Sequence, residues 1–377
     1  MIDVIVPVHK GLAATRRCLD SVLAAGSHAA FEAIVVDDAT PEPDIARHLD
    51  RLAAENRITL VRNARNLGFV QSVNRGMALH ADRDVVLLNS DTEVANDWLA
   101  RLARCVHAHA DIGTATPFSN NATICSYPFS GWTGGVPGTL GLAALDRLCA
   151  TVNAGKSVDL PTGVGSCLYI RRACLDQVGA FDSERFGRGY GEENDFCLRA
   201  RAAGWRNVLA GDVFVFHEGA VSFAGERSER TKAAHETMLV LHPDYLPRVR
   251  AFVTADPAGT LRDAIDTARI AHGSDEAASV LAEHADEKSR LRVRLGEVET
   301  LAEDREAAIA DLRVALARAE KLLAERDGEN TRLRDEIGKL RAGLSHAEIL
   351  ATDRMSEIER IHASPMWKVL APWLRKK

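Results

Sequence analysis

From Val253 to Met366 the chain has no phenylalanine, tyrosine or tryptophan. Every aromatic residue lies at or before Phe252 except Trp367 and Trp373. A globular core normally needs such side chains, so this second stretch is not expected to be globular. No run of about 18 apolar residues occurs, which argues against a membrane-spanning helix. The seven cysteines (18, 105, 125, 149, 167, 174 and 197) form no C-x-x-C. That pattern argues for free thiols in a reducing compartment, not disulfides or a zinc site. Positive charge is not in excess either. The net charge is -6, so nucleic acid is not an expected partner. No G-x-G-x-x-G follows the first apolar stretch, which counts against a dinucleotide enzyme. The N-terminal "MIDVIVPVHK" enters a strand at once, without the features of a signal peptide. The cytosol is the expected location.

What the aromatic-free stretch does contain is periodic. Steps of four and three residues from Leu291 land on apolar residues, alanine included, as far as Ile361. Only Arg305, Arg326, Asn330 and Arg354 interrupt them. That is roughly ten heptads, against the three or four that argue a coiled coil. Asn330 falls at an a position, the device that pairs with its own copy in a parallel two-stranded coil. A parallel homodimer is therefore expected, with 291–361 as one helix of roughly 105 Å at 1.5 Å per residue. A single solvated charged helix is the alternative. Residues 253–280 read as a linker with a short helix. The end of the chain, 363–377, combines Trp367 and Trp373 with Lys368, Arg375, Lys376 and Lys377. Such a segment suits a lipid headgroup interface or docking on a partner protein, and peripheral contact with the inner face of the cytoplasmic membrane is expected.

Residues 1–252 alternate between two periods. "DVIVPV", "FEAIVVDDAT", "ITLVRN" and "DVVLLNSD" read as strands. "ATRRCLDSVLAA", "DIARHLDRLAAE" and "FVQSVNRGMALH" between them read as helices. Such alternation specifies an α/β fold, a mostly parallel sheet with helices on both faces. Ligands of such sheets sit beyond the carboxyl ends of the strands. Two of these strands end in aspartates, Asp37-Asp38 and Asp91, so the acids share one edge.

"VIVPVH", "IVVDDAT", "NARNLGFVQSVNRGMAL", "VVLLNSDTEV" and "GYGEENDFCLRARAAGW" occur in this order. Together, over roughly residues 1–245, they resemble the family-2 inverting glycosyltransferases of the GT-A fold. "TGVGSCLYIRR" followed by "VGAFDSERFGRGYGEEND" resembles the bacterial members that add sugars, often rhamnose, to surface polysaccharides. The resemblance implies a nucleotide-sugar donor, UDP- or dTDP-linked. It also implies a growing glycan acceptor such as O-antigen or capsule, often lipid-linked. Asp38 and Asp37 match the pair that touches base and ribose, and Pro7, Asn66 and Gly68 belong to the same nucleotide side. Asn66 would otherwise be a local turn cap. "NSD" matches the family's D-x-D metal motif with Asn89 in place of the first aspartate, so Asp91 would hold Mg²⁺ or Mn²⁺. A helix N-cap is the other use for Asp91.

"GYGEEND" matches the catalytic-base motif. Its base position is Glu193, with Glu192 as the second candidate and Asp195 as a structural helix carboxylate. First-turn acids also suit a helix N-terminus without any catalytic role. His217, at the end of "DVFVFH", would complete the metal site or contact phosphate; a satisfied histidine is the alternative. Gly163 and Gly165 would let the backbone approach the donor sugar, or simply form a loop. The chain lacks the Q-x-x-R-W of processive synthases, so one sugar per encounter is expected. The competing expectation, which Asn89 and Glu193 favour, is a catalytically decayed transferase domain that acts as a coiled-coil interaction or scaffold protein.

Overall fold

The computed structural model describes residues 1–25, 28–219, 227–325 and 330–364. It divides into two compact units, Met1–Leu281 and Ala282–Lys377. Among its described residues the first holds nine strands: β1 (Ile2–Val8), β2 (Phe31–Asp37), β3 (Thr59–Arg62), β4 (Asp84–Leu88), β5 (Thr92–Glu93), β6 (Ile112–Ser119), β7 (Ser157–Leu160), β8 (Cys167–Ile170) and β9 (Arg206–His217). Their order is β3-β2-β1-β4-β8-β6-β9-β5, and β7 pairs with β9. β1, β2, β3 and β4 are mutually parallel. β8 runs antiparallel to both β4 and β6, and β9 is parallel to β6. β1, β2, β3, β4, β6 and β9 therefore point one way. Their carboxyl ends, together with the start of β8, make a single edge.

Strand alternation divides the core into two layers. Val4, Val6, Val35, Val86 and Leu88 pack on one face with Leu19, Leu49 and Leu99. Ile5, Ile34, Val36, Val85 and Leu87 pack on the other with Val70, Met77 and Phe196. Successive side chains of a strand leave on opposite sides. Runs such as "VIVPV" are apolar throughout because helices cover both faces. The seven cysteines are unpaired, as the sequence implied. Among the described residues no helix is long and apolar enough to cross a membrane.

Residues 253–280, expected to form a linker, hold the helix Gly259–His272, and it is packed. Leu261 and Ile265 join Phe118, Tyr127 and Phe214 in a third cluster. Arg262 and Arg269 are buried with it. Arg262 donates from Nε to the Ser126 carbonyl at 2.9 Å and from Nη2 to that of Ile124 at 3.0 Å. The helix has no aromatic residue of its own because residues 118–214 supply the rings. That is why composition alone hides it.

The second unit departs from the expected single rod. One helix ends at Glu325, and another runs Asn330–Ala363. Arg294 reaches Glu357 at 3.0 Å, Arg313 reaches Glu348 at 3.0 Å, and Arg341 reaches Glu320 at 2.9 Å. Rising numbers on one helix meet falling numbers on the other, so the pair is an antiparallel hairpin. Leu295, Val298, Ile309, Ala319 and Ile337, all on the heptad seam, are buried in it. Part of the heptad seam is thus buried between two helices of the same chain. The side chain of Asn330 and the basic aromatic segment 365–377 lie outside the described residues.

Candidate active site

The carboxyl edge of the sheet encloses a cavity of about 340 Å³. Pro7, His9, Asp38, Asn66, Gly68, Asn89, Asp91, Gly165, Glu192, Glu193 and His217 all line it. Most of the residues selected from sequence therefore converge, though they come from seven separate segments.

At the β1–β2 end, Asp38 organises the wall. Its Oδ1 accepts from Asn63 Nδ2 at 2.8 Å and from the Leu67 amide at 2.6 Å, and its Oδ2 accepts from the Gly68 amide at 2.8 Å. Asn66 donates to His9 Nε2 at 2.8 Å, accepts from the Gly68 amide at 3.1 Å, and is bonded by Arg188. Gly68 is held at φ 86°, and a Cβ there would stand 2.8 Å from the Arg188 Cα, so only glycine fits. Asp37 is placed otherwise. Its Oδ1 accepts from the Thr40 amide at 2.8 Å and its Oδ2 from Arg62 Nε at 3.1 Å. It shapes the turn after β2 and does not line the cavity, because neighbours on a strand point to opposite faces.

At the β4–β9 end, His217 Nε2 lies 3.4 Å from Asp91 Oδ1. Antiparallel pairing of β5 with β9 places Thr92 opposite His217 and so brings Asp91 alongside. His217 Nδ1 contacts the Asn121 carbonyl at 2.9 Å. A carbonyl only accepts, so Nδ1 donates there, and Nε2 is the ring nitrogen that faces Asp91. Asp91 is not a helix cap, since the following helix starts at Trp98 with Asp97 before it.

The third wall is the start of the helix Glu192–Ala202. Gly189, Tyr190 and Gly191 precede it at φ 133°, 81° and 89°. A tyrosine in this region is strained, and the strain is concentrated beside the two carboxyls. Glu192 is buried, and among the described residues its Oε2 has no hydrogen-bond partner. Burial pushes its carboxyl well above the usual range, and the neighbouring Glu193 adds to the rise. Burial also raises Glu193, against backbone amides and Asn194 Nδ2, which donates at 3.1 Å. Asp195 is committed elsewhere, to Arg199 Nε at 2.8 Å and His242 Nε2 at 2.8 Å. Gly165 packs on Glu193, where an added Cβ would meet Glu193 Cγ at 3.5 Å. Gly163 instead lies behind the wall. Its amide donates to Cys197 Sγ at 3.2 Å, and a Cβ would stand 2.6 Å from Leu168 Cδ1.

Sequence reasoning missed His9, Arg188, Asn120 and Asn121. His9 closes the "VIVPVH" motif and Arg188 sits just before "GYGEEND", so their position beside known motifs was the available signal. Among the described residues one group of three metal-ligating side chains occurs, Asp3, Glu32 and His80. It lies at the opposite edge, near the amino ends of β1 and β2. Arg83 Nη1 already stands 3.0 Å from Asp3 and 2.6 Å from Glu32. A guanidinium neutralises these acids, so this cluster is a structural staple and not the metal centre of the cavity.

Residues 2–235 match the family described as "Glycosyltransferase like family 2". The chain is 25% identical over 269 residues to the uncharacterized protein y4gI of Sinorhizobium fredii, covering 68% of this chain and 28% of that one. Over 80 residues, 21% of this chain and 25% of the relative, it is 34% identical to the N-acetylglucosaminyl-diphospho-decaprenol L-rhamnosyltransferase of Mycobacterium tuberculosis. The matched parts thus span about a quarter of these curated relatives. Among solved structures, GalNAc-T7 with UDP, GalNAc and Mn²⁺ superposes with a TM-score of 0.50 at 18% identity. The overlap covers 71% of this chain and 54% of that one. The sheet order, the carboxyl-edge cavity and the family match agree: the chain belongs to glycosyltransferase family 2 and has the GT-A fold.

Proposed function

We propose that the protein transfers a single sugar, a hexose or rhamnose, from a UDP- or dTDP-sugar to a growing cell-surface glycan, with inversion. One observation carries the reading: the Asp91–His217 pair and the Glu192–Glu193 pair face one cavity from different walls. Glu193, partly open to the cavity, takes the proton of the acceptor hydroxyl as that oxygen attacks the anomeric carbon. Glu192, raised further by burial and by Glu193, is the harder of the two to ionise, which leaves Glu193 as the base. The Asp38-ordered loop at 66–68 presents its backbone to the nucleotide.

Asp91 Oδ1 and His217 Nε2 would hold a divalent cation. The donor set fits, because a carboxylate and a neutral imidazole attract a metal and leave its other positions to phosphate oxygens and water. The imidazole favours Mn²⁺ over Mg²⁺. Such a cation, when bound, neutralises the diphosphate and makes it a competent leaving group. Similarity to a protein named for a diphospho-decaprenol substrate supports a lipid-linked acceptor.

The test is hydrolysis and transfer across a panel of UDP-, dTDP- and GDP-sugars, with Mn²⁺ or EDTA, and the product anomer read by NMR. Metal-dependent release of the inverted anomer is expected. Donor binding without any turnover would favour the decayed scaffold, and no binding of any donor would end the proposal.

A further inference from the structure

The parallel ladder between β6 and β9 ends at the pair Ser119 and Val215. Beyond it the β6 backbone turns away, yet the β9 backbone continues to His217. The Asn120 side chain fills the vacated place. Its Oδ1 accepts from the His217 amide at 2.7 Å, and its Nδ2 donates to the His217 carbonyl at 2.9 Å. Nδ2 also donates to the Gly134 carbonyl at 2.6 Å, and Ser119 Oγ donates to Oδ1 at 3.2 Å. Asn120 is fully buried. The primary amide is the neutral side chain that offers an acceptor and two donors in one plane, so it can imitate a peptide group.

We infer that Asn120 is a positioning residue for the cation site: it extends the ladder by one step and so aims His217 at Asp91. This rests on the proposed role of Asp91 and His217. Residue 120 grips the His217 backbone with its side chain, and residue 121 grips the His217 ring with its carbonyl. The anchor is itself braced. Gly134 belongs to a loop whose far end is held by Glu276: the Thr139 hydroxyl donates to its Oε1 at 2.7 Å and the Leu140 amide at 3.1 Å. Arg269 Nε fixes the other Glu276 oxygen at 2.7 Å. Residues beyond the family match, which ends at 235, thus support the wall that presents His217.

Mn²⁺ affinity separates positioning from plain structural support. It is measured by electron paramagnetic resonance on the full chain, with Mn²⁺ alone and with Mn²⁺ plus UDP. Asn120→Ala and His217→Ala should each weaken Mn²⁺ binding about tenfold or more, the usual scale for ligand-orienting groups. The double variant should lose little more than either single one, because both changes remove the same ligand. Asn120→Ser keeps a hydroxyl donor and should fall between; it carries the comparison if Asn120→Ala does not fold, as judged by metal-free thermal unfolding. Loss in His217→Ala with unchanged affinity in a folded Asn120 variant overturns this inference alone. Wild-type Mn²⁺ affinity in His217→Ala, or no Mn²⁺ binding by the wild type in either condition, overturns the cation site and this inference with it.

Discussion

Asp91 Oδ1 and His217 Nε2 stand 3.4 Å apart at the carboxyl edge of the sheet. The β5–β9 pairing brings them together from distant parts of the chain. The Nδ1 contact with Asn121 settles which nitrogen faces Asp91. The pair is the cation site of the function proposed above, and substitution of Asp91 tests that role.

Asp91→Asn should keep the fold and lose transfer. The amide preserves size but removes the charge that would hold a cation. If the cation supplies several kcal/mol, turnover falls on the order of a thousandfold. Initial rates at saturating donor and Mn²⁺ are the check; full turnover would remove Asp91 from the site.

Glu193→Gln should bind donor as the wild type does and transfer about a hundred- to ten-thousandfold more slowly, since an amide cannot take a proton near neutral pH. The pH profile adds a second readout. The base works only when ionised, and burial raises its value above the usual 4.5. Wild-type kcat/KM should therefore climb with pH through a point above that of an exposed glutamate. A rate that is flat down to pH 4.5 would exclude both raised glutamates as the base, and a Glu193→Gln variant with normal turnover would shift the base to Glu192.

Glu192→Gln should be more stable than the wild type at pH 8 and no different at pH 4. A carboxyl raised on folding favours the fold below its unfolded value, and that contribution is lost as pH rises through the folded value. Glu192 is raised by burial and by Glu193, so neutral pH is where the wild type bears the strain. The amide has no such dependence. Each kcal/mol relieved should raise Tm by about 2–4 °C for a unit of this size. Equal melting temperatures at pH 8 would show that Glu192 is not strained in the fold.

Because two helices of one chain pair with each other, thermal melting of the helical hairpin should not depend on protein concentration. A parallel homodimer would melt higher at higher concentration. Ile309→Asp, which places a charge among buried seam residues, should lower far-UV helicity and expose residues 282–364 to protease. A concentration-dependent midpoint in the wild type would restore the intermolecular coil.

Local pattern was enough for much of this protein. "VIVPV", "AIVVDD" and "VVLLNSD" announced strands that end in polar groups, and parallel strands must share an edge, so Asp38 and Asp91 were placed together from sequence. The "EEND" acids were equally legible, because a helix start collects carboxylates in one turn. Tertiary structure decided the rest. Asp37 and Asp38 are adjacent in sequence, but strand alternation sends one to Arg62 and the other to the cavity wall. Gly163 and Gly165 look alike in "TGVGS", yet only packing against Leu168 and Glu193 distinguishes a buried contact from a cavity wall. The heptads specify a seam but not whose helix fills it, since a helix from the same chain buries leucines as well as one from another. Asn120 and His217 lie 97 residues apart, and no period links them; only closing the β6–β9 ladder makes an amide side chain stand in for a missing peptide.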